Sequence, residues 1–212
     1  MAGERRSSAG AEGDFQLRPA FLSIAMALGL SVAACAKSFD MSDERLTPLG
    51  PEWGIVVGSV LVKPAKLADE SGKSRDAADV TYEFDIVQSQ PGDPEGESPY
   101  AERYRLDSKG GEERVFISRL RTGRYMIRSF AQDRLAGKGG DLGLVFDCMA
   151  GEVRYVGRLL VEVPQRVSRG KEYRYAVENA REQTLRNIAG SQPEFAKRAV
   201  DAPMRPLEEQ AP

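Results

Sequence analysis

The chain contains 212 residues, of which 41% are hydrophobic and 29% are charged. This length suits one domain with short appendages, and the composition is neither that of a disordered polyelectrolyte nor that of a multi-span membrane protein. The net charge of −2 provides no overall positive field, so we expect no nucleic-acid partner. The chain contains no histidine, which excludes Ser-His-Asp and Cys-His catalysis and the commonest metal ligand. We therefore predict no enzymatic activity, no cofactor and no metal site.

The first apolar segment is typical of an export signal. Residues 20–32 carry no charge, Arg18 precedes them, and Lys37 and Asp40 follow. Thirteen residues of helix rise only about 20 Å, which is short of a hydrocarbon core of roughly 30 Å. We assign residues 1–34 to a signal peptide rather than to a spanning anchor.

The end of this segment resembles the lipobox of bacterial lipoprotein precursors, in which an aliphatic residue and two small residues precede an obligatory cysteine. Val32, Ala33, Ala34 and Cys35 match these positions in order. The resemblance implies that Cys35 takes a diacylglycerol, that the signal is cut just before it, and that the new amino terminus is acylated. Two or three acyl chains then give durable membrane attachment. The alternatives are an ordinary cleaved signal and a signal anchor.

The residue after the cysteine bears on the choice of membrane. In Gram-negative lipoproteins an aspartate at that position commonly signals retention in the inner membrane, and this chain has Ala36 there. By this resemblance, the expected location is the outer membrane, facing the periplasm.

Residues 35–53 contain breakers such as Pro48 and Pro51, and they predict a lipidated N-terminus followed by a flexible tether. From residue 54 to 178 the pattern alternates with the period of a strand, most clearly at Val80, Tyr82 and Phe84. The predicted strands are residues 55–62, 80–86, 104–106, 115–120, 125–131, 142–148, 153–163 and 173–177. Ala150-Gly151 predicts an antiparallel hairpin between the sixth and seventh of these strands. The fold class is an antiparallel β-sandwich with C-terminal helices, and a small barrel is the alternative.

Two segments resemble a known sandwich family. Residues 120–127, LRTGRYMI, are similar to the leucine, glycine, tyrosine signature of carboxypeptidase-regulatory-like and transthyretin-like domains. Those families usually have proline where this chain has Arg121 or Thr122. Residues 146–159 resemble the corresponding hairpin of bacterial lipoproteins built on that sandwich. The resemblance implies that Tyr125 and Ile127 face the core, and it implies a fold rather than an activity.

One thiol remains if Cys35 is lipidated, so no disulfide is expected. This thiol, Cys148, alternates with Leu142, Leu144 and Phe146 and shares one strand face with them. We interpret it as a small buried hydrophobe rather than as a reactive thiol.

Residues 179–201 predict a helical segment in which Asn179 caps the first helix and Gly190 ends it. A second short helix is predicted within residues 193–200. The residues expected to anchor these helices are Leu185, Ile188, Phe195 and Val200. Residues 202–212 contain three prolines and are predicted to form a disordered tail.

Four further patterns have both a functional and a structural interpretation, and we favour the structural one for each. The acidic loop of residues 88–99 lacks EF-hand spacing and is interpreted as a solvated linker. The Ser168 to Lys171 segment matches a Ser-x-x-Lys motif without its companion motifs. Residues 137–141 are a glycine-rich hairpin tip rather than a phosphate loop. Four arginines around the fifth strand suit either cross-strand ion pairs or anionic headgroups and lipopolysaccharide; they are Arg119, Arg121, Arg124 and Arg128.

These observations favour a non-enzymatic, lipid-anchored envelope protein that acts as an accessory, scaffold or recognition module, with an envelope protein as a possible partner. One alternative is a carrier of a lipid or sugar, which predicts a cavity between the sheets. The rings expected to line it are Tyr82, Phe84, Tyr125 and Tyr155. A second alternative is a periplasmic enzyme that depends on carboxylates or lysine.

Overall fold

Strands dominate the chain. The computed structural model describes residues 36–41, 50–65, 80–98, 100–132, 139–164 and 173–207. Within these ranges the strands are β1 (Lys37–Ser38), β2 (Trp53–Ala65), β3 (Thr81–Ser89), β4 (Arg103–Lys109), β5 (Glu113–Arg121), β6 (Gly123–Gln132), β7 (Gly139–Cys148), β8 (Val153–Pro164), β9 (Arg174–Glu178), β10 (Ala199–Asp201) and β11 (Arg205–Pro206). The helices are α1 (Arg181–Ala189) and α2 (Pro193–Arg198). The predictions that lie outside the described residues concern the signal peptide, the lipobox with Cys35, the Ser168 to Lys171 segment, Gly137, Lys138 and residues 208–212.

The strands form two sheets. Sheet A has the order β1-β4-β3-β6-β7-β11, and sheet B has the order β10-β8-β2-β5, with β9 also pairing with β8. The predicted fold class is confirmed, since the protein is mainly β, sandwich-like and carries two C-terminal helices. Strands β2 to β9 correspond to the eight strands expected from period-two alternation.

The prediction of an antiparallel hairpin after residue 148 is wrong. Strand β7 belongs to sheet A and β8 to sheet B, so the turn through Gly151 crosses from one sheet to the other. Strand β8 pairs in parallel with β2, whose Ile55, Val56 and Val57 are all fully buried. The short turn reverses the chain, but it does not decide which strand β8 pairs with. Packing decides that, and β2 has two apolar faces to bury.

The main core lies between the sheets and is rich in aromatic rings. The predicted inward residues Tyr125 and Ile127 are buried in it. Cys148 is confirmed as a buried residue of this core, together with Leu142, Leu144 and Phe146. A second, smaller cluster lies on the outer face of sheet B, where Leu185 and Ile188 of α1 pack on strand residues.

The prediction of a flexible tether over residues 35–53 is wrong for residues 36–41, which we call the N-terminal strap. Strand β1 pairs in parallel with β4 of sheet A, and the N–H of Met41 then donates to Ile117 of β5 in sheet B (2.8 Å). Phe39, between these points, is only 1% exposed and lies in the main core. The strap therefore closes one open side of the sandwich.

The prediction of a disordered tail is wrong for residues 202–207, which with β10 form the C-terminal strap (residues 199–207). Strand β10 pairs with β8 in sheet B, and β11 pairs with β7 in sheet A. Between them, the N–H of Met204 donates to Val156 (2.8 Å), and the Met204 side chain is 4% exposed in the main core. This strap closes the opposite side of the sandwich.

The two predicted helices are confirmed with small differences. Asn179 accepts a hydrogen bond from the N–H of Arg181 (3.2 Å), although Ala180 occupies the N-cap position. Phe195 packs on the second cluster as expected, whereas Val200 is 55% exposed and anchors nothing, because it lies in β10 rather than on a helix face. Among the described residues, neither helix has the length and apolarity needed to cross a bilayer.

Candidate functional site

One end of the sandwich collects most of the residues that the sequence marks as functional. We call it the β5–β6 end, because β5 finishes there at Arg121 and β6 begins at Gly123. Trp53, at the start of β2, pairs with Arg121, and Cys148, at the end of β7, pairs with Gly123. Strand β1 also begins at this end, because Lys37 pairs with Tyr104 near the start of β4.

Two guanidinium groups from β5 lie over the ring of Trp53. The guanidinium carbons of Arg119 and Arg121 lie 4.9 and 5.6 Å from the centre of its ring, which is the geometry of cation–π attraction. Trp53 follows the period of Ile55 on β2, so it projects from the outer face of sheet B. Trp53 is only partly exposed, and the two guanidinium groups cover part of its ring.

Lys37 and Arg121 share a carboxylate. The ammonium of Lys37 lies 3.4 Å from Glu102, and its side chain is 64% exposed. The hydroxyl of Tyr104 donates to the other oxygen of Glu102 (2.6 Å). This hydrogen bond, followed by the charges of Lys37 and Arg121, lowers the pKa of Glu102. Burial and the same carboxylate raise the pKa of Tyr104.

We call Lys37, Trp53, Arg119 and Arg121 the cationic patch. It carries three positive side chains, and Glu102 is the carboxylate between Lys37 and Arg121. Glu52, which directly precedes Trp53 and is exposed, adds a second carboxylate to this end.

The predicted arginine strip divides between the two sheets. Arg119 and Arg121 lie on β5 of sheet B, while Arg124 and Arg128 lie on β6 of sheet A. Arg124 pairs with Asp147 (3.1 Å) and Arg128 pairs with Asp85 on the neighbouring strand. Cross-strand pairing with aspartates therefore accounts for the sheet A half.

A groove of about 670 Å³ opens at the same end, on the sheet A side. Its walls are residues 88–92 and Pro94, from the end of β3 and the β3–β4 loop, residues 122–124, and residues 147–149. The acidic loop is ordered by its own Asp93, whose carboxylate accepts from the N–H groups of Glu97 and Ser98, both at 2.8 Å. Glu95 and Glu97 are exposed, as a solvated loop predicts.

Cys148 reaches the wall of this groove without being reactive. Its side chain is fully buried and its S–H donates to the carbonyl of Leu120 (3.6 Å). Burial raises the pKa of the Cys148 thiol to about 11, which suppresses the nucleophilic thiolate at neutral pH. Gly54 permits this packing, since a Cβ there would lie 2.2 Å from the carbonyl oxygen of Met149.

A buried polar network lies away from this end, beneath α1, and the sequence did not indicate it. Ser59 donates to Glu113 (2.7 Å), as does the amide of Gln183 (2.7 Å). Ser59 and Thr184 are fully buried, whereas the Glu113 side chain is 14% exposed and also lies 3.6 Å from Arg158. The network holds α1 on sheet B. Its members are up to 125 residues apart in the chain, and no local spacing connects them.

The four rings proposed to line a ligand cavity pack in two different apolar clusters. Tyr82 and Phe84 both pack on Phe130, with centroids 6.3 and 5.9 Å apart, and Tyr125 stacks on Phe146 at 5.8 Å. Tyr155 belongs to the second cluster, and its hydroxyl accepts from the N–H of Ala180 (2.9 Å).

Within the described ranges, no group of three or more cysteine or acidic side chains is arranged to hold a metal ion. Comparison of the chain with protein-family models, with curated proteins and with solved structures found no significant match.

Proposed function

We propose that this protein is a lipid-anchored bacterial envelope protein, attached through Cys35, and that its sandwich is a non-enzymatic accessory, scaffold or recognition module. The outer membrane, on its periplasmic side, is the location that Ala36 favours. The proposal is carried by the lipobox-like run Val32-Ala33-Ala34-Cys35, placed directly before the first residue of the fold.

The N-terminal strap supports this proposal mechanically. A lipid anchor transmits any pull on the protein to the residues that follow it. Here those residues are bonded to both sheets, and Phe39 contacts the rings of Tyr104, Phe116 and Phe146 at 5.2 to 6.2 Å between centroids. Such a connection gives the domain a defined position at the membrane, which suits a scaffold or recognition role.

The two alternatives have less support from the geometry. A ligand carrier needs shared access for the four rings, and they pack in two separate clusters. A carboxylate-dependent enzyme needs charged groups in an accessible pocket. The charged side chains that line the described groove are Arg124 and Asp147, and they form an ion pair with each other.

Radioactive palmitate labelling tests the anchor. The full chain and two variants, Cys35→Ser and Cys148→Ser, are expressed in a bacterium that processes lipoproteins, and membranes are separated from soluble proteins. We expect the wild type and Cys148→Ser to carry the label in the membrane fraction and Cys35→Ser to lose it. Label retained on Cys35→Ser, or an unmodified wild-type Cys35 by mass spectrometry, contradicts the proposal.

Crosslinking in living cells followed by affinity capture tests the module role. A scaffold or recognition module should yield one envelope protein whose capture is lost on mutation of the exposed surface. Recovery of the protein alone, with abundant envelope proteins at control levels, contradicts that role while leaving the anchor intact.

A further inference from the structure

We infer that two copies of this chain associate through strand β9, whose outer edge pairs antiparallel with β9 of the partner subunit about a two-fold axis at Ala176. The pairing joins sheet B of one copy to sheet B of the other. This association goes beyond the proposed function and does not depend on lipidation of Cys35.

Strand β9 has a free edge. Within the described ranges it pairs with β8 on one side only, and Arg174, Tyr175 and Ala176 are exposed. A strand with one neighbour presents unpaired N–H and C=O groups that can pair with another strand. The outer strands β4, β5 and β7 differ, because the straps add short strands or backbone hydrogen bonds to them. Apart from the straps themselves, β9 is the outer strand of the described chain to which neither strap adds a backbone hydrogen bond.

The inward face of β9 is apolar up to its edge. Val177 packs against the main core, and Tyr175 lies on the same face two residues earlier. Tyr175 is 39% exposed, and its ring stacks on that of Tyr173 with the centroids 6.4 Å apart. Tyr173 is itself fixed, since its ring packs edge-on against Phe130 (5.2 Å) and its hydroxyl donates to the carbonyl of Asp141. An exposed tyrosine is thus held in place beside the free edge.

Strand β9 lacks several features with which natural edge strands prevent pairing. These features include proline, a β-bulge and a charged side chain that points inward. Residues 174–178 contain no proline, their register with β8 is continuous, and their inward side chains are Tyr175 and Val177. The charged residues of β9, Arg174 and Glu178, lie on the opposite face. The edge is therefore able to receive another strand.

The sequence of β9 is complementary to itself. In an antiparallel pair centred on Ala176, Arg174 lies opposite Glu178 of the partner subunit, and Tyr175 lies opposite the partner subunit's Val177. Opposite charges and aromatic–β-branched pairs both stabilise cross-strand contacts. The two-fold axis makes each pair occur twice, as in an isologous dimer. A shift of the register by two residues loses both charge pairs, so the sequence favours one register.

Both charges of β9 can take this additional partner. Arg174 has no ion-pair partner within the described ranges, although Glu162 lies opposite it on β8. Two donors of Arg158 bind one oxygen of Glu178, Oε2, at 2.8 and 3.0 Å, and the Glu178 side chain is 38% exposed. Arg158 is shared with Glu113 (3.6 Å), so these three groups leave an excess of negative charge. The second oxygen of Glu178 is therefore suited to Arg174 of the partner subunit.

Disulfide crosslinking tests the two-fold axis. Two copies of an Ala176→Cys variant place their new side chains opposite each other, with Cβ atoms about 5 Å apart, which is close to the range of a disulfide. The matched control is Val200→Cys, which is also exposed and lies on β10, on the same side of β8 as β9. This control retains both charge pairs, and its two copies would lie more than roughly 30 Å apart along the edge.

The full-length variants are purified in detergent and oxidised, and the dimer is measured on non-reducing gels. The unsubstituted chain, which retains Cys35 and Cys148, gives the baseline. We expect at least about fivefold more crosslinked dimer for Ala176→Cys than for Val200→Cys. Equal yields from the two variants, or no dimer above the baseline for Ala176→Cys, contradict the pairing.

Charge reversal tests the cross-strand pairs. Arg174→Glu places carboxylates opposite each other and Glu178→Arg places cations opposite each other, so each should raise the dimer dissociation constant at least about threefold. An equimolar mixture of the two variants should restore the dimer, because each cross-strand pair between them joins opposite charges. Sedimentation equilibrium of the full-length protein measures the dissociation constants, and Lys109→Glu, at an exposed position of β4, is the control.

The Arg174→Glu variant removes no ion pair within its own copy, so its comparison with Lys109→Glu stands even if Glu178→Arg, which loses the bond to Arg158, fails to fold. Equal dissociation constants for Arg174→Glu and Lys109→Glu would overturn the proposed dimer. A wild-type chain that is monomeric at the concentrations used for crosslinking would overturn it as well. Absence of lipid on Cys35 is a different failure, since it contradicts the proposed anchor and leaves the dimer intact.

Discussion

The two straps perform the same task on opposite sides of the sandwich with different chemistry. The N-terminal strap runs from β4 of sheet A to β5 of sheet B, and the C-terminal strap runs from β8 of sheet B to β7 of sheet A. Each inserts one large apolar side chain, Phe39 or Met204, into the main core.

The charged groups of the straps differ in burial. Asp40 of the N-terminal strap is 6% exposed and pairs with Arg114, and it also accepts from the N–H of Ile117 (3.3 Å). The C-terminal strap relies on the exposed pairs Arg205–Asp147 and Arg181–Asp201, at 3.1 and 2.9 Å. The strap next to the proposed anchor is thus the one with aromatic ring contacts and a buried carboxylate.

The largest expected effect is the loss of the Phe39 ring. Phe39→Ala should lower the free energy of unfolding by about 3–5 kcal/mol, because it removes contacts with rings of both sheets and leaves a cavity. Urea unfolding of the full chain measures the change, and Phe39→Leu is the control that retains most of the volume. A loss below about 1 kcal/mol for the alanine variant would show that the strap does not hold the sheets together.

Met204→Ala breaks the other strap and should cost somewhat less, about 2–4 kcal/mol, because a flexible thioether makes no ring contacts. The same urea experiment applies, with Met204→Leu expected to cost less than about 1.5 kcal/mol. A larger loss for Met204→Ala than for Phe39→Ala would reverse the order that we derive for the two straps.

Removing one carboxylate from each side of the molecule compares the contributions of a buried and an exposed charge to the free energy of unfolding. Asp40→Ala should cost about 2 kcal/mol, since it leaves Arg114 and a backbone N–H without this acceptor. Asp147→Ala, which removes exposed pairs with Arg124 and Arg205, should cost at most about 1 kcal/mol. In 0.5 M salt the loss of unfolding free energy should become smaller for Asp147→Ala but not for Asp40→Ala, because salt screens exposed charges. Equal salt sensitivity in the two variants would contradict the contrast.

The smallest effect concerns pH at the cationic patch. Because the folded-state pKa of Glu102 is lowered from 4.5, its charge adds stability above the unfolded-state pKa, and this is lost as pH falls through the folded-state value. Tyr104→Phe removes the hydrogen bond that is the main cause of the lowered pKa of Glu102. We therefore expect the variant to lose about 1 kcal/mol of unfolding free energy at pH 7 and less than this below about pH 4. Urea unfolding midpoints of the wild type and the variant between pH 3 and 7 measure this loss. A loss that does not change with pH would show that the hydrogen bond from Tyr104 does not lower the pKa of Glu102.

Period-two alternation was sufficient to predict β2 to β9, because β2 to β8 each have one face or both in an apolar core and Val177 of β9 packs against it. It was also sufficient to predict the inward side chain of Cys148, whereas that of Tyr125 was implied by the family resemblance of residues 120–127. It missed β1, β10 and β11, because strands of two or three residues are too short to show a period. Proline and glycine near the straps indicated loops, although Phe39 and Met204 each supply enough apolar surface to order their neighbours.

The candidate site was predicted only in part. Arg119 and Arg121 were singled out from sequence, but as members of a strip with Arg124 and Arg128, since linear spacing does not reveal that β5 and β6 belong to different sheets. Trp53 was treated as the end of a tether, because its pairing with Arg121 connects residues 68 positions apart. That pairing is what turns two arginines into a patch.

Composition and alternation along the chain determined the mainly β class, the positions of the long strands, the buried thiol and the absence of histidine chemistry. They did so because a buried strand face produces apolar residues at every second position, a pattern that a short stretch of sequence already shows. Only the tertiary structure decided that β8 joins β2, that two short straps close the sandwich, and that a tryptophan and three cations meet beside the first strand. Those outcomes depend on hydrogen bonds and contacts between distant segments, which no local pattern specifies.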